Sequence, residues 1–400
     1  MPNIDLSRVL LLKFGKHASS TDVSADAVTQ YFLEPQTDPE LTTDVEKLDR
    51  DLVRGDNENY ASIVGKKMTA INFNMEVRGI QQAGGTGGAG DSQSAAYTTN
   101  TQLGSLLDCV CGVNGNNDSG ETTDAADAGT GTTVTMDAAT SLSDQNGVLV
   151  KGTTSGKYQA REVVSTSGDD VTICRELTTD TGAADTAAES EVAFASASWY
   201  LDADNANHIH AFFDAEGYAW RRKLYGCLGN CTFNVENGAV MTANFTMGGT
   251  DWLDVAEANP TFTAQRAGTP AVAIDSAFHI GSTRYDLLET SIDLGLTMQD
   301  KTTFDGTNGM AGFAVTRAQP VITAKLYYSD TLLNTLQGAT TQDVLLQIGS
   351  TAGSTIAFRM PAASTRNAKR SITNGMETID VEFVGSRPTS GNGSLRIHLF

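Results

Sequence analysis

Asn237-Gly238-Ala239-Val240-Met241-Thr242-Ala243-Asn244-Phe245-Thr246-Met247 reads as a hairpin turn and its second limb. Asn-Gly suits the two central positions of a tight hairpin because both residues tolerate positive φ. Beyond the turn Met241, Ala243, Phe245 and Met247 point one way and Thr242, Asn244 and Thr246 the other, the period of a half-buried strand. The pattern returns 137 residues later, at Asn374-Gly375. There Ile379, Val381 and Phe383 oppose Thr378, Asp380 and Glu382. The two copies come into phase when one residue is added or lost at the turn. Each stands near the end of a similar series of segments, so the chain reads as an internally duplicated β protein. A duplicated module suits symmetric assembly.

Outward from the hairpins, the first series contains a strand at Ser7–Phe14 and a half-buried strand at Lys67–Arg78. In the latter Thr69, Ile71, Phe73, Met75 and Val77 share one face. A helix is expected over Thr98–Val113, where Leu103, Leu106, Leu107 and Val110 have helical spacing. Four strands follow at 208–213, 219–225, 230–235 and 240–247, then a connector from Trp252 to Gly268. The second series runs through 271–280, 290–298, 312–328, 344–348, 355–360, 377–384 and 395–400, with a short helical segment at Leu332-Leu333 matching Leu106-Leu107. Leu48–Val53, a loop and the strand 68–77 have a counterpart in 292–298, a loop and 313–326. The polar stretches 35–66 and 298–312 read as long loops.

Residues 114–200 differ. Asn114 to Thr133 is almost entirely Gly, Asn, Asp, Thr and Ala, and short strands follow at 133–136, 147–151, 158–165, 170–175 and 191–195. This resembles a small β barrel inserted in a larger domain. It holds 14 acidic and four basic residues, hence −10 of the net charge of −21.

The whole chain has 400 residues, 39 Gly and 8 Pro, with 27 basic against 48 acidic residues. Its length fits two or three domains, and its composition is turn-rich and mainly β. Such acidity excludes gripping nucleic acid through phosphates, which needs Lys and Arg. It leaves room for enclosing DNA without holding it. Cys109, Cys111, Cys174, Cys227 and Cys231 are odd in number and lack C-x-x-C spacing, so free thiols in a reducing compartment are expected. The apolar run Val9–Leu12 is short for a signal peptide, and no stretch approaches the ~20 residues of a membrane helix. Cytoplasmic assembly is the expected setting.

Four stretches resemble the tail tube (major tail) proteins of long-tailed, siphovirus-type bacteriophages: Gly65-Lys66-Lys67 leading into Phe73–Gly79, Leu103–Gly112, Leu224–Asn230 running to Gly248, and the Asn374-Gly375 hairpin. The resemblance implies two tandem tail-tube-type β-sandwich modules, each with a flanking helix, plus a small inserted β subdomain. Residues 1–113 with 201–262 would form the first module, 114–200 the insertion on the outer surface, and 263–400 the second module. It also implies that modules associate side by side into a ring, a trimer with pseudo-sixfold symmetry in preference to a hexamer, and that rings stack into a hollow conduit for DNA ejection. The partners so implied are the chain itself and other tail proteins such as tape measure, tail terminator and distal tail proteins. DNA would pass through the lumen without specific binding, and no membrane is involved. The two long loops would reach the next ring. The insertion departs from the simplest members. The alternatives are a secreted or surface β adhesin and another virion decoration protein.

No enzyme chemistry, cofactor or metal site is expected. Gly85-Thr86-Gly87-Gly88-Ala89-Gly90 matches G-x-G-x-x-G, but no parallel βαβ unit follows. Asn114, Asn116, Asp118 and Glu121 are spaced like a calcium loop, yet position twelve is Ala125. His208 and His210 share a strand face and, with His279, are read as ordinary strand residues. Asp169-Asp170 and Asp202/Asp204 sit in turns. Trp199, Trp220 and Trp252 are read as core or interface anchors, and Arg221-Arg222-Lys223 as a solvated strand edge or an ion-pair contact to a neighbouring subunit.

Overall fold

Both Asn-Gly hairpins form in the computed structural model. Arg221–Glu236 pairs antiparallel with Thr242–Gly249, and Ile356–Thr373 with Met376–Gly385. Asn374 and Gly375 hold φ of 51° and 80°, and Thr373 pairs directly with Met376, a two-residue turn with both centres left-handed. At Asn237-Gly238 only the glycine is left-handed, and the nearest strand pair is Asn234 with Thr242. The different turn explains the one-residue shift of phase between the copies.

The structure describes residues 11–17, 30–48, 63–78, 102–114, 121–122, 131–136, 142–179, 182–188, 192–193, 197–201, 208–217, 220–255, 270–304, 309–338, 340–351, 353–388 and 393–400. These are mainly strand, with two helices, α1 (Gln102–Cys111) and α2 (Asp330–Gln337). The residues Gly85–Gly90, Asn116, Asp118, Asp202 and Asp204 lie outside them.

The pairings around the two hairpins follow one order. In the first set Leu11–His17 pairs with Gln30–Leu33 and with His210–Glu216, which pairs with Arg221–Glu236. That long strand also takes Asp251–Val255, while Thr242–Gly249 takes Ile63–Glu76, which takes Glu40–Leu48. In the second set Ala277–Ile280 pairs with Thr283–Tyr285 and with Gln342–Ile348, which pairs with Ile356–Thr373. That strand takes Arg396–Leu399, while Met376–Gly385 takes Val321–Tyr327, which takes Leu287–Asp293. In each set one helix stands between the last two strands and the long one, α1 after Ile63–Glu76 and α2 after Val321–Tyr327.

Several expected boundaries move. The segments 219–225 and 230–235 are one 16-residue strand, Arg221–Glu236. Gly226, at φ 62°, reads as a break but serves as a bend. Up to Cys227 the strand pairs with His210–Glu216 and Asp251–Val255; beyond it the partners are Thr242–Gly249 on one side and Leu287–Asp293 on the other. Part of the expected connector, Asp251–Val255, is therefore strand. The described parts of the stretches read as long loops are mainly antiparallel arms. Glu40–Leu48 pairs with Ile63–Glu76, and Leu296–Thr302 with Met310–Ala318. The second arm is kinked where Gly295 (φ 63°) faces Pro320; a Cβ at Gly295 would lie 1.9 Å from the Gln319 carbonyl oxygen.

One apolar core runs through both sets. Phe14, Phe73, Phe213 and Phe245 pack together in the first, with centroids 5.2–5.7 Å apart, and Phe278 lies 6.1 Å from Phe383 in the second. Phe233 and Phe358, 5.0 Å apart edge to face, join the two sets. Each fully buried phenyl contributes ~1.5–3 kcal/mol through water exclusion.

Between α1 and His210–Glu216 a separate four-stranded sheet forms in the order Thr133–Thr135, Asp170–Ile173, Tyr158–Ser167, Gly147–Lys151. It has its own core, including Val134, Met136, Val148, Val163, Val171 and Ile173. Two short strands, Gly112–Asn114 and Ala197–Leu201, lead into and out of this region and pair with each other. Ala197–Leu201 also pairs with Arg396–Leu399, so the segment arising from the first set is stitched into the second.

Candidate functional site

The two sets share one sheet. Residues Thr232–Glu236, beyond the bend of the long strand, pair with Glu289–Asp293 across five positions. The order is therefore Glu40–Leu48, Ile63–Glu76, Thr242–Gly249, Arg221–Glu236, Leu287–Asp293, Val321–Tyr327, Met376–Gly385, Ile356–Thr373. One face carries the core residues Ile71, Phe73, Ala243, Phe245, Phe233, Ile292, Ile322, Val381 and Phe383. The alternation of strands puts every intervening side chain on the other face.

That other face is polar and acidic. One lateral row reads Glu76, Thr242, Asn234, Ser291, Thr323, Glu382, Arg366. The next reads Glu236, Glu289, Lys325, Asp380, Lys369. With Glu40, Asp44 and Asp293 the face presents, among the described residues, eight carboxylates against four cations, Lys66, Lys325, Arg366 and Lys369. Lys66 lies in the first set and is paired with Asp300; the other three lie in the second. Lys325 pairs with Glu289 at 2.8 Å, which holds the lysine above its ordinary range, and Arg366 pairs with Glu382 at 2.7 Å. The first set offers amides and hydroxyls instead: Asn72, Asn74, Thr246, Asn244, Asn230 and Thr232. Over the second set the face is concave, enclosing about 560 Å³ between Glu289, Ser291, Lys325, Lys369 and Glu382.

Each end of this sheet is an open edge among the described residues. Glu40–Leu48 pairs only with Ile63–Glu76, and Ile356–Thr373 beyond Ala363 pairs only with Met376–Gly385. The first edge exposes Glu40, Thr42, Asp44 and Glu46; the second exposes Arg366, Lys369, Arg370 and Ile372, the last 75% accessible. One edge is acidic and the other basic. Unpaired edges of this length attract strands unless masked. The arms are tied to each other by Lys66 and Asp300 and carry exposed apolar residues: Leu48 and Ile63 on one, Phe304 on the other.

On the opposite side, residues 147–178 pack against the strands Gln342–Ile348, Ile356–Met360 and Arg396–Leu399. Leu149 and Ala160 meet Leu345, Ala357 and Phe400. Glu162, 1% exposed, accepts from Arg359 Nη1 at 2.6 Å and from Arg396, with His398 Nε2 at 3.4 Å. His398 Nδ1 shares a hydrogen bond with Ser198 at 2.8 Å, and Ser198 Oγ accepts from Gly147 N. Burial opposes the charge on Glu162, yet His398, Arg359 and Arg396 hold the carboxyl below its ordinary value. The two arginines and the carboxylate thus form an ionic lock between the inserted sheet and the second set.

The expected site residues are scattered. Arg221 pairs with Asp214 at 2.6 Å and Arg222 with Asp254 at 2.5 Å, so these two cations are engaged within the chain rather than presented as a bare basic cluster. Trp199 is fully buried and donates to Asp108 at 2.7 Å; Trp252 is half-buried beneath Lys67. His208 is buried against Gly112, His210 pairs with His17, and His279 lies in the second set opposite Leu345. Among the described residues no three His, Cys, Asp or Glu side chains group for a metal. Cys109, Cys111, Cys227 and Cys231 are buried free thiols pushed up by desolvation. No described helix is long and apolar enough to cross a membrane. The open edges and the acidic face have one signal in the sequence, the alternation itself, but the strands that complete them lie 51–63 residues away in one pairing and 166–180 in another. No protein-family model matches the chain, and no curated protein matches it.

Proposed function

We propose that this chain is the building block of a bacteriophage tail tube, two tail-tube-type modules in tandem with a β insertion between α1 and the strand His210–Glu216. The observation that carries the reading is the ladder of Thr232–Glu236 with Glu289–Asp293. It joins the end of the first set to the start of the second. The two open edges are the same two positions, repeated: Glu40–Leu48 corresponds to Leu287–Asp293, and the far half of Ile356–Thr373 to Thr232–Glu236. A second copy placed by the same operation would set basic Arg366 and Lys369 against acidic Glu40 and Asp44. Such a contact is heterologous and either closes into a ring or runs on as a filament. Three chains of eight strands would close a barrel of 24, leaving no free edge.

The amide- and carboxylate-lined face would then form the lumen. It has few cations to hold phosphate, which suits a conduit through which DNA slides. The insertion, on the far side of the core, would stand outside the tube. The exposed apolar residues of the arms are suited to contact the next ring, and tape measure, terminator and distal tail proteins would meet the tube's ends. Native mass measurement with negative-stain microscopy tests this. Rings of three copies, or tubes, are expected; a monomer at tens of micromolar protein overturns it.

A further inference from the structure

An asparagine before glycine can cyclise on its own backbone, because glycine leaves the next nitrogen unshielded and the chain free to turn. The chain contains six Asn-Gly pairs, and three lie wholly within the described residues: Asn146-Gly147, Asn237-Gly238 and Asn374-Gly375. The reaction needs an accessible side-chain amide and a glycine N–H not engaged elsewhere. It also needs freedom to bring the two groups within ~3–3.5 Å. The fold treats the three pairs differently.

Asn146 is buried, and Gly147 N donates to Ser198 Oγ at 3.1 Å. Asn237 is exposed, but its turn is clamped from two sides. Asn237 N donates to the Leu288 carbonyl at 3.1 Å, Gly238 N to the Ala273 carbonyl at 3.1 Å, and Ala273 N back to the Ala239 carbonyl at 2.9 Å. The second hairpin tip has no such clamp among the described residues. Asn374 and Gly375 are both exposed, and Gly375 N donates to none of the described residues. Apart from its chain neighbours, no described atom lies within 4 Å of where a Cβ on Gly375 would stand. Both residues are left-handed, so attack requires the tip to leave its turn. The pair Thr373 and Met376 closes that tip, with Ile372 75% and Met376 49% exposed. A strand end with so little buried apolar contact opens at small cost.

We propose that Asn374 is a site of spontaneous backbone-driven deamidation. Gly375 N attacks Asn374 Cγ; the new C–N bond closes a cyclic imide, the Cγ–Nδ2 bond breaks, and Nδ2 leaves as ammonia with the proton that Gly375 N gives up. Water then opens the imide. Breaking the bond from Cγ to Gly375 N leaves aspartate; breaking the bond from the Asn374 main-chain carbonyl carbon to that nitrogen leaves isoaspartate. Either product adds one negative charge to a tip that already carries Glu377, and isoaspartate also lengthens the main chain of a two-residue turn. This inference is independent of the tube reading, because it concerns one chain's own backbone.

The full chain is incubated dilute in mildly alkaline buffer, once folded and once in urea. Each Asn-Gly peptide is followed by mass spectrometry for the exchange of amide for acid, and isoaspartate is measured by enzymatic methylation. In urea the three sites should react at similar rates, since local sequence is all that remains. In the folded chain Asn374 should lead Asn237 and Asn146 by at least about tenfold, because it alone keeps a rate close to the unfolded one. The rate should rise with pH, as the attacking nitrogen must lose its proton, and the product should contain isoaspartate. Asn374→Gln, whose longer amide closes a larger ring slowly, should silence this peptide and leave the other two unchanged. A smaller folded-state lead, or aspartate formed without isoaspartate, overturns the proposal.

Discussion

The two hairpins have the same connectivity and meet different neighbours. The edge Thr232–Glu236 is covered by Glu289–Asp293, and its outward side chains are Thr232, Asn234 and Glu236. Asn230 donates to Asp293 at 2.7 Å and Ser291 to Asn234 at 2.8 Å, so short polar groups close that seam. The corresponding edge beyond Ala363 has no further strand among the described residues and carries Arg366, Lys369, Arg370 and Ile372. A seam inside one chain forms at high effective concentration and needs little beyond backbone pairing. A seam between chains must be found by diffusion, and opposite charge speeds that encounter and rejects wrong partners. Under the assembly we propose, the chemical difference between the edges would follow that difference in task.

The comparison breaks first at Phe233, which is fully buried and bridges to Phe358. Phe233→Ala should cost about 3–5 kcal/mol in denaturant unfolding, since both strand sets lose a shared contact. Glu162→Gln comes next. It strips Arg359 and Arg396 of a buried carboxylate, a loss of about 3–5 kcal/mol by the usual scale for broken buried pairs. Hydrogen exchange should locate that loss in residues 147–163. Acid acts on the same group: a depressed folded pKa means the contribution is complete above the ordinary carboxylate value of 4.5 and disappears as pH falls below it. Unfolding measured from pH 6 to pH 3 should therefore show the inserted sheet loosening at the acid end, and Glu162→Gln should flatten that dependence.

Gly295→Ala tests the close backbone approach at the base of the second arm. A Cβ there meets the Gln319 carbonyl at 1.9 Å with φ of 63°, so a loss of ~1–3 kcal/mol is expected, whereas Gly65→Ala in the first arm, where a Cβ meets nothing nearer than 3.3 Å, should cost less. The smallest effect on folding belongs to the open edge. Arg366→Glu with Lys369→Glu should shift monomer stability by less than ~1 kcal/mol, because exposed pairs contribute little. Self-association, followed by mass photometry, should fall at least tenfold and return when Glu40→Lys and Asp44→Lys are added. Persistence of assembly in the double variant would separate the edge from the interface. Assembly of the wild type should also weaken with salt.

Much of this molecule is readable along the chain. Alternation set the buried faces of Ile63–Glu76, Thr242–Gly249 and Met376–Gly385, and leucine spacing placed both helices. Composition set the acidic balance and marked 114–200 as different. These are local properties, because side-chain period and turn chemistry act over a few residues. Tertiary structure decided the rest. Whether Gly226 ends a strand or bends it depends on which partners wait on either side. Arg221 and Arg222 look like a free basic patch until Asp214 and Asp254 arrive from other strands. The lock at Glu162 joins residues up to 236 apart. Sheet pairing between distant segments is decided by global packing, so no window of sequence contains it, and which strands stand at the two ends of the eight-stranded sheet follows only from the pairings of all the others.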